Sequence, residues 1–211
     1  MDNGLKIIPK SVFLRLRRLT LLDKVGDKEY ILNWGYRDGY VSLGVIDKET
    51  NKSVKDARLV LNTVLLRTLV EYLEKVMSSK EEISYTIESK SRDFNNKEND
   101  ALIVKGKVHI GKKKIKDYLI NYIMIENGVK YPFKLLPSKY YVFYKNGERL
   151  DDYTELSNIF TKAYVKELNK ILDEIPPFSE EDLFEVNLNF NKNDKKNNNK
   201  NTTDKEDDDL F

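Results

Sequence analysis

The sequence has no cysteine, and His109 is its only histidine. Without cysteine there are no disulfides, thiolate metal sites or cysteine nucleophiles. A single histidine excludes His-rich metal sites and makes a Ser-His-Asp triad depend on one residue. No apolar run approaches the roughly eighteen residues of a membrane span, and the first ten residues lack a signal-peptide pattern. These absences predict a cytoplasmic binding protein without a membrane segment.

Motifs that would indicate catalysis are also missing. The chain has no P-loop, no glycine-rich phosphate loop after a strand and no HExxH. Adjacent acids occur at Asp151-Asp152 and Glu180-Glu181, but such pairs are typical of helix caps and surface charge. The sequence therefore predicts a protein that is not an enzyme and has no metal or cofactor.

What the chain does have is an uneven distribution of charge along its 211 residues. Residues 176–211 carry ten acids and five lysines, so this tail has a net charge of −5 and residues 1–175 have +7. A basic body favours polyanions such as nucleic acid as partners.

The first half is predicted to form strands and then a helix. In the segment 11–22, Leu14 and Leu16 alternate with Phe13, Arg15 and Arg17, as expected of a strand. Further strands are predicted over 29–36, 40–46 and 54–61, and helical spacing of apolar residues predicts a helix over 63–80.

The second half repeats this order. Strands are predicted over 83–91, 101–110, 117–126 continuing into 130–135, and 139–144, and a second helix over 152–175. The two helices align without gaps at an offset of 95 residues, matching Leu69 with Tyr164 and Leu73 with Leu168. The repeat predicts a first unit over residues 1–80 and a second over 81–178.

The tail is predicted to be a disordered linker over 179–205 that ends in an acidic tip, 206–211. Residues 191–205 contain no aliphatic or aromatic side chain whose burial would offset the entropy of ordering. The tip ends in Asp207, Asp208, Asp209, Leu210 and Phe211. A solubilising tail would explain the acids but not the two apolar residues. We therefore expect the tip to act as a peptide ligand, with Phe211 docked in an apolar pocket of a partner and the acids against the basic rim of that pocket.

A basic body, a polar linker and a terminal Asp-Asp-Asp-Leu-Phe resemble bacterial and phage single-stranded DNA-binding proteins. The resemblance implies that the tip recruits replication and repair proteins and competes with DNA for the basic groove. It covers only the tail, and Leu210 stands where the bacterial consensus usually has proline.

The body supplies cations and aromatic rings on its predicted strands, the two ingredients of a single-strand binding surface. Aromatic rings in strands also pack in cores, and Trp34 suits either role. A lysine run also suits a solvated turn. The candidate DNA-binding residues are Phe13, Arg15, Arg17, Arg18, Trp34, Tyr36, Arg37, Tyr40, Lys105, Lys107, His109, Lys112, Lys113, Tyr118 and Tyr122.

The predicted fold class is α+β, with two tandem units of four antiparallel strands and one helix. This order resembles the Whirly-like fold, and Lys105-Gly106-Lys107 is similar to a strand motif of that family. The alternative is an OB-fold barrel with appended helices.

We therefore expect a protein that coats single-stranded DNA during replication, recombination or repair, in bacteria or encoded by a phage. An RNA-binding protein or transcriptional regulator on the same fold is one alternative, and a protein-interaction adaptor is another. The sequence leaves the oligomeric state open, and a homo-oligomer is compatible with it.

Overall fold

The computed structural model describes residues 15–37, 40–92 and 102–175. Phe13, the predicted linker 179–205 and the predicted tip with Asp207, Asp208, Asp209, Leu210 and Phe211 lie outside these residues. The described residues all belong to one compact unit.

The first half is a four-stranded antiparallel meander followed by a helix. Its strands are β1 (Leu21–Val25), β2 (Lys28–Arg37), β3 (Tyr40–Asp47) and β4 (Lys52–Leu61), and its helix is α1 (Thr63–Ser78). Each strand pairs with the next along the chain, so the order in the first sheet is β1-β2-β3-β4. Asn62 caps α1, because its Oδ1 accepts a hydrogen bond of 2.8 Å from Leu65 N.

The second half has the same order with one insertion before its helix. The second sheet contains β5 (Ile83–Arg92), β6 (Leu102–Ile115), β7 (Tyr118–Asn127) and β8 (Val129–Lys134), again paired in sequence. A short hairpin of β9 (Tyr144–Lys145) and β10 (Glu148–Arg149) then precedes α2 (Tyr153–Glu174). Asp152 caps α2 through hydrogen bonds from the amides of Thr154 and Glu155.

The predicted α+β class with two antiparallel four-stranded sheets is confirmed. Within the described residues neither sheet closes into a barrel, so the architecture is not that of an OB-fold. The helical repeat is present as well, since the five buried positions of α1, shifted by 95 residues, are all buried in α2. Leu69 and Tyr164 are one such pair, and Leu73 and Leu168 are another.

Both halves contribute to one core. Leu32, Leu43 and Leu59 of the first sheet are buried together with Ile110 and Ile123 of the second, and side chains from both helices complete the cluster. The sheets are also linked at their edges, because the Asp23 carboxylate in β1 accepts hydrogen bonds from the Lys134 backbone amide and from its Nζ in β8. The two predicted units therefore share one hydrophobic interior.

The predicted strand over 11–22 is wrong for residues 15–18, which are helical. Leu16 and Leu19 are both buried, and their spacing of three residues suits a helical turn. The sequence LRLRRL, residues 14–19, fits both a helical spacing and the alternation of a strand. The helical conformation buries both Leu16 and Leu19 in the core. The first strand of the sheet starts only at Leu21.

Candidate nucleic-acid interface

The structure places Arg15 in an ion-pair cluster with α2. Arg15 Nε is 3.1 Å from Glu174 Oε1, and Nη1 is 3.1 Å from Glu167 Oε2. Two carboxylates therefore balance this guanidinium, and the predicted placement of Arg15 on a strand is wrong because residues 15–18 are helical. Arg17 and Arg18, on the same helical segment, are exposed.

Trp34 lies in the core rather than on a binding surface. Only 3% of it is exposed, and its Nε1 donates a hydrogen bond of 2.7 Å to the Tyr164 hydroxyl. That hydroxyl donates to the Leu19 carbonyl at 2.8 Å, and burial raises the pKa of Tyr164. Both polar groups are satisfied inside the protein, so the core alternative for Trp34 is the one observed.

The other predicted residues of the β2–β3 hairpin differ in exposure. Tyr36 is half-buried and packs against the core, whereas Tyr40 is 38% exposed on the opposite face of the sheet. The Arg37 backbone ends β2 and pairs with Tyr40.

Lys112 is a buried lysine that caps a helix. It is 2% exposed, and its Nζ donates hydrogen bonds of 3.1 Å to Met77 O and 2.6 Å to Ser79 O at the C-terminus of α1. Burial lowers the pKa of this ammonium group. The prediction that Lys112 binds phosphate is wrong in this conformation, because the side chain points into the protein.

The solvent-facing side of the second sheet has balanced charges. Lys107 pairs with Glu88 at 2.9 Å, and this pair raises the pKa of Lys107 and lowers that of Glu88. His109 contacts Thr86 Oγ1 through Nδ1 at 2.8 Å and Glu126 Oε2 through Nε2 at 3.0 Å. Lys107 and His109 of the predicted site are therefore both engaged by acidic neighbours.

Three further predicted residues lie along the β6–β7 hairpin. Lys113 is exposed, Tyr118 is half-buried, and the ring of Tyr122 lies over Gly111 with its hydroxyl 3.3 Å from Ser84 Oγ. Lys105, nearer the start of β6, is also exposed.

The most exposed aromatic side chains belong to a segment that the predicted site did not include. In residues 139–144, here called the aromatic segment, Tyr140 is 82% exposed, Tyr141 70%, Phe143 37% and Tyr144 68%. The predicted strand over 139–144 is wrong, because only Tyr144 belongs to a strand, the two-residue β9. The signal in the sequence was the density of rings directly after Pro137.

Backbone hydrogen bonds hold the aromatic segment in a defined shape. Tyr141 N donates to Ser138 O at 3.0 Å, and Leu150 N donates to Phe143 O at 2.8 Å. The β9–β10 hairpin closes through Asn146 and Gly147, which have φ of 54° and 86°, as an Asn-Gly turn requires. The exposed rings are thus presented by a closed loop rather than by an extended strand.

Tyr140, Tyr141 and Phe143 line an open groove of about 780 Å³, here called the aromatic groove. Its walls are Thr20, Leu21, Leu22, Asp23, Lys24, Glu29, Lys48, Lys134, Leu136, Pro137, Ser138, Lys139, Tyr140, Tyr141, Phe143 and Phe160. Four lysines and two acids among them give the groove an excess of positive charge.

The electrostatics of the groove follow from where its two acids lie. A hydrogen bond from Lys48, with further attraction from Lys24 and Lys139, lowers the pKa of Glu29. Asp23 is held by Lys134 at 2.9 Å. Lys24 and Lys139 form no ion pair with any residue that the structure describes. Lys139 Nζ lies over the face of the Tyr140 ring, 5.5 Å from its centroid, so this cation and this ring already contact each other beside the groove.

A smaller pocket of about 260 Å³ lies beyond the aromatic segment. Tyr141 and Phe143 line both cavities, and Tyr153 and Arg149 contribute only to the smaller one. Arg149 Nε pairs with Asp151 at 2.9 Å, and the Tyr153 ring meets Tyr118 edge-on with centroids 5.2 Å apart. Aromatic surface therefore continues from the groove towards the β6–β7 hairpin.

No protein-family model matches this chain, and no curated protein matches its sequence. Within the described parts of the chain, no three His, Asp or Glu side chains are grouped so as to hold a metal ion, and neither helix is long and apolar enough to cross a membrane.

Proposed function

We infer that this protein binds single-stranded DNA without sequence preference, by stacking bases on the aromatic segment and neutralising phosphates with the lysines of the aromatic groove. The observation that carries this function is the exposure of Tyr140 and Tyr141 beside Lys24 and Lys139. The protein acts as a coat in replication, recombination or repair and has no catalytic step of its own.

Exposed rings next to cations suit a single strand better than a duplex. The faces of the bases are covered in a duplex, whereas a single strand offers each face to an aromatic side chain. Tyr140 and Tyr141 are solvated on most of their surface, so a stacked base would remove apolar area from water. Stacking tolerates any base because every base has a π face.

The charges of the groove supply the second part of the interaction. Phosphates that displace counterions by pairing with lysines give binding that weakens as salt rises. Lys24 and Lys139 are the lysines best placed for this, since Lys48 and Lys134 already contact Glu29 and Asp23.

Anisotropy of a fluorescein-labelled oligo-dT tests the proposal with the variants Tyr140→Ala and Tyr141→Ala. Each stack contributes about 1–3 kcal/mol, so each variant is expected to weaken binding by roughly 5- to 150-fold. Tyr144→Ala is the matched control, because Tyr144 is as exposed as Tyr141 but lines neither cavity. It should bind like the unchanged protein.

The charge contribution is measured in a salt series with Lys24→Gln and Lys139→Gln. Each variant should reduce the slope of log K against log salt by about 1, the loss of one phosphate contact. Lys162→Gln, on the exposed side of α2, is the control that removes one charge elsewhere.

Competitors decide between this function and the others considered. Tighter binding of oligo-rU than of oligo-dT would assign the protein to RNA, and equal binding of duplex would indicate a regulatory protein. An absence of binding to every nucleic acid would favour the adaptor. A loss in Tyr144→Ala equal to that in Tyr141→Ala would contradict the assignment to the groove.

The proposal includes a role for the acidic segment 207–211 in recruiting replication or repair proteins. It joins three aspartates to Leu210 and Phe211, a chemistry that suits an apolar pocket with a basic rim. Such a protein would work in the cytoplasm of a bacterium. Deleting 207–211 should abolish recruitment and, if the segment competes with DNA, should tighten DNA binding at low salt.

A further inference from the structure

The β6–β7 hairpin extends beyond both of its neighbouring strands. The last residue of β6 that β5 pairs is Lys112, opposite Ile83, and the first residue of β7 that β8 pairs is Tyr122, opposite Lys134. Residues 113–120, here called the ribbon tip, pair only with each other, with Ile115 opposite Tyr118. The β6–β7 pair therefore extends as a two-stranded ribbon past the ends of β5 and β8.

Contacts from other elements hold the ribbon tip in place. Leu119 N donates to Thr154 Oγ1 of α2 at 2.9 Å, and Lys114 N donates to Glu82 Oε1 at 2.6 Å. Ile120 is 3% exposed, which anchors the base of the ribbon. The strands of the tip thus keep their direction without a neighbouring strand.

The ribbon tip presents one apolar side chain among cations. Ile115 is 38% exposed, and Lys113, Lys114 and Lys116 around it are exposed. Lys116 has a φ of 56°, which turns the chain at this point. None of the three lysines forms an ion pair with the residues that the structure describes, and Asp117 is the one acid in the tip.

We propose that the ribbon tip contacts double-stranded DNA where it meets the bound single strand, with Ile115 wedged against the terminal base pair and the lysines on the flanking phosphates. Apolar side chains, isoleucine included, act as wedges between base steps, and lysines beside them neutralise the backbone. The proposal rests on the proposed function and adds a second binding surface, specific for a junction between single and double strands.

The position of the tip relative to the groove supports a junction rather than an isolated duplex. Tyr118 in the tip contacts Tyr153, which lines the smaller pocket, and that pocket shares Tyr141 and Phe143 with the aromatic groove. A strand lying in the groove would therefore lead towards the ribbon tip. Ile115 is the cross-strand partner of Tyr118, so the isoleucine lies on the same face of the ribbon as this aromatic contact.

The test compares a labelled oligo-dT with a hairpin duplex that carries the same oligo-dT as a single-stranded tail. The unchanged protein should bind the tailed duplex about tenfold more tightly than the strand alone, because the tip adds contacts that only the duplex offers. Ile115→Ala should reduce this preference to about twofold and leave oligo-dT binding unchanged. 2-Aminopurine at the terminal base pair should brighten with the unchanged protein and not with the variant.

The control for the wedge is Val129→Ala, because Val129 is 49% exposed and follows the β7–β8 turn of the same sheet. It should preserve the preference for the tailed duplex. The double variant Lys114→Gln with Lys116→Gln should lower the salt slope for the tailed duplex by about 2 and not that for oligo-dT. The control is the double variant Lys162→Gln with Lys166→Gln, which removes the same amount of charge from α2. It should not change the salt slope for the tailed duplex more than the slope for oligo-dT.

Equal affinity of the unchanged protein for tailed duplex and oligo-dT would overturn the ribbon-tip proposal while the single-strand function stands. Failure to bind oligo-dT at all would instead overturn the proposed function. Loss of the preference in Val129→Ala as much as in Ile115→Ala would also contradict the wedge.

Discussion

Trp34 and Tyr164 form a hydrogen-bonded chain across the core. The indole donates to the phenol, and the phenol donates to the Leu19 carbonyl, so one pair links β2, α2 and the end of the helical segment 15–18. The rings are 6.4 Å apart. At the scale of the residue, Trp34 therefore stabilises the core of the folded protein.

Trp34→Phe should lower the free energy of unfolding by about 1–3 kcal/mol, because it removes a buried hydrogen bond and leaves a small void. Oligo-dT affinity should stay the same, since the ring does not reach the surface. Urea denaturation followed by far-UV circular dichroism measures the stability, as the chain has no other tryptophan. Unchanged stability with weaker DNA binding would show instead that Trp34 stacks on bases.

Gly111 is a second residue with a specific requirement, since the Tyr122 ring lies directly over it. A Cβ at this position would come within 2.6 Å of both the Tyr122 hydroxyl and Ile83 O. Gly111→Ala should therefore destabilise the protein by about 1–3 kcal/mol, measured as a shift in the urea midpoint.

Gly44→Ala is the matched control for this prediction. Gly44 also lies in a strand, but its nearest neighbour to a Cβ would be 3.8 Å away. This substitution should change stability little or raise it slightly, because alanine restricts the unfolded chain. Equal losses at both positions would show that strand backbone rather than the Tyr122 ring sets the cost.

At the scale of the element, α1 depends on a lysine from the second sheet. Lys112 Nζ bonds two carbonyls at the C-terminus of α1, where a cation also favours the helix dipole. The contact joins the helix of the first half to a strand of the second.

Lys112→Met should lower the free energy of unfolding by about 1–3 kcal/mol, since it leaves two carbonyls without their charged donor. Lys113→Met changes the same residue type one position along, where the side chain is exposed, and should have almost no effect. Thermal unfolding of the two variants side by side gives the comparison. A stable Lys112→Met would mean that water replaces the ammonium group.

The sequence predicted the helices and most strands because their apolar periodicity matches the observed burial. The offset of 95 residues identified equivalent buried positions in both helices, although α2 starts with extra residues before this alignment. The strand predictions failed for residues 15–18 and 139–143, because alternation and ring content suit strands. The packing of Leu16 and Leu19 favours a helical turn instead, and the β9–β10 hairpin starts only at Tyr144.

The candidate site was less predictable than the fold. The sequence does not show which acid a basic side chain will pair with in the fold. Arg15 and Lys107, which form ion pairs, therefore could not be distinguished from lysines that form none. The aromatic groove joins residues of β1 to the segment before α2, more than 100 positions along the chain, and only the tertiary structure brings these together.

At the scale of the whole molecule, several carboxylates have lowered pKa values in the folded state. Lys48 lowers the pKa of Glu29, the Thr50 amide that of Asp47, Lys107 that of Glu88, and Lys170 followed by Arg15 that of Glu167. The unfolded chain therefore binds protons at a higher pH than the folded protein does.

The stability that these carboxylates contribute is complete above their ordinary pKa of about 4 and is lost as the pH drops further through the folded values. Urea denaturation between neutral and acid pH measures this dependence. Glu88→Gln should make the acid loss smaller, because that side chain no longer titrates. A free energy of unfolding that stays level into the acid range would contradict the prediction.

The ion pairs of Arg15 place the start and the end of the described fold side by side. Arg15 is the first described residue, and its Nε lies 3.1 Å from Glu174, the last residue of α2. In topological terms the described part of the chain, 15–175, is nearly a ring, because its two ends lie side by side. A circular permutant that joins these ends through a short linker and opens the chain at the Asn127-Gly128 turn would keep both sheets, both helices and the aromatic groove.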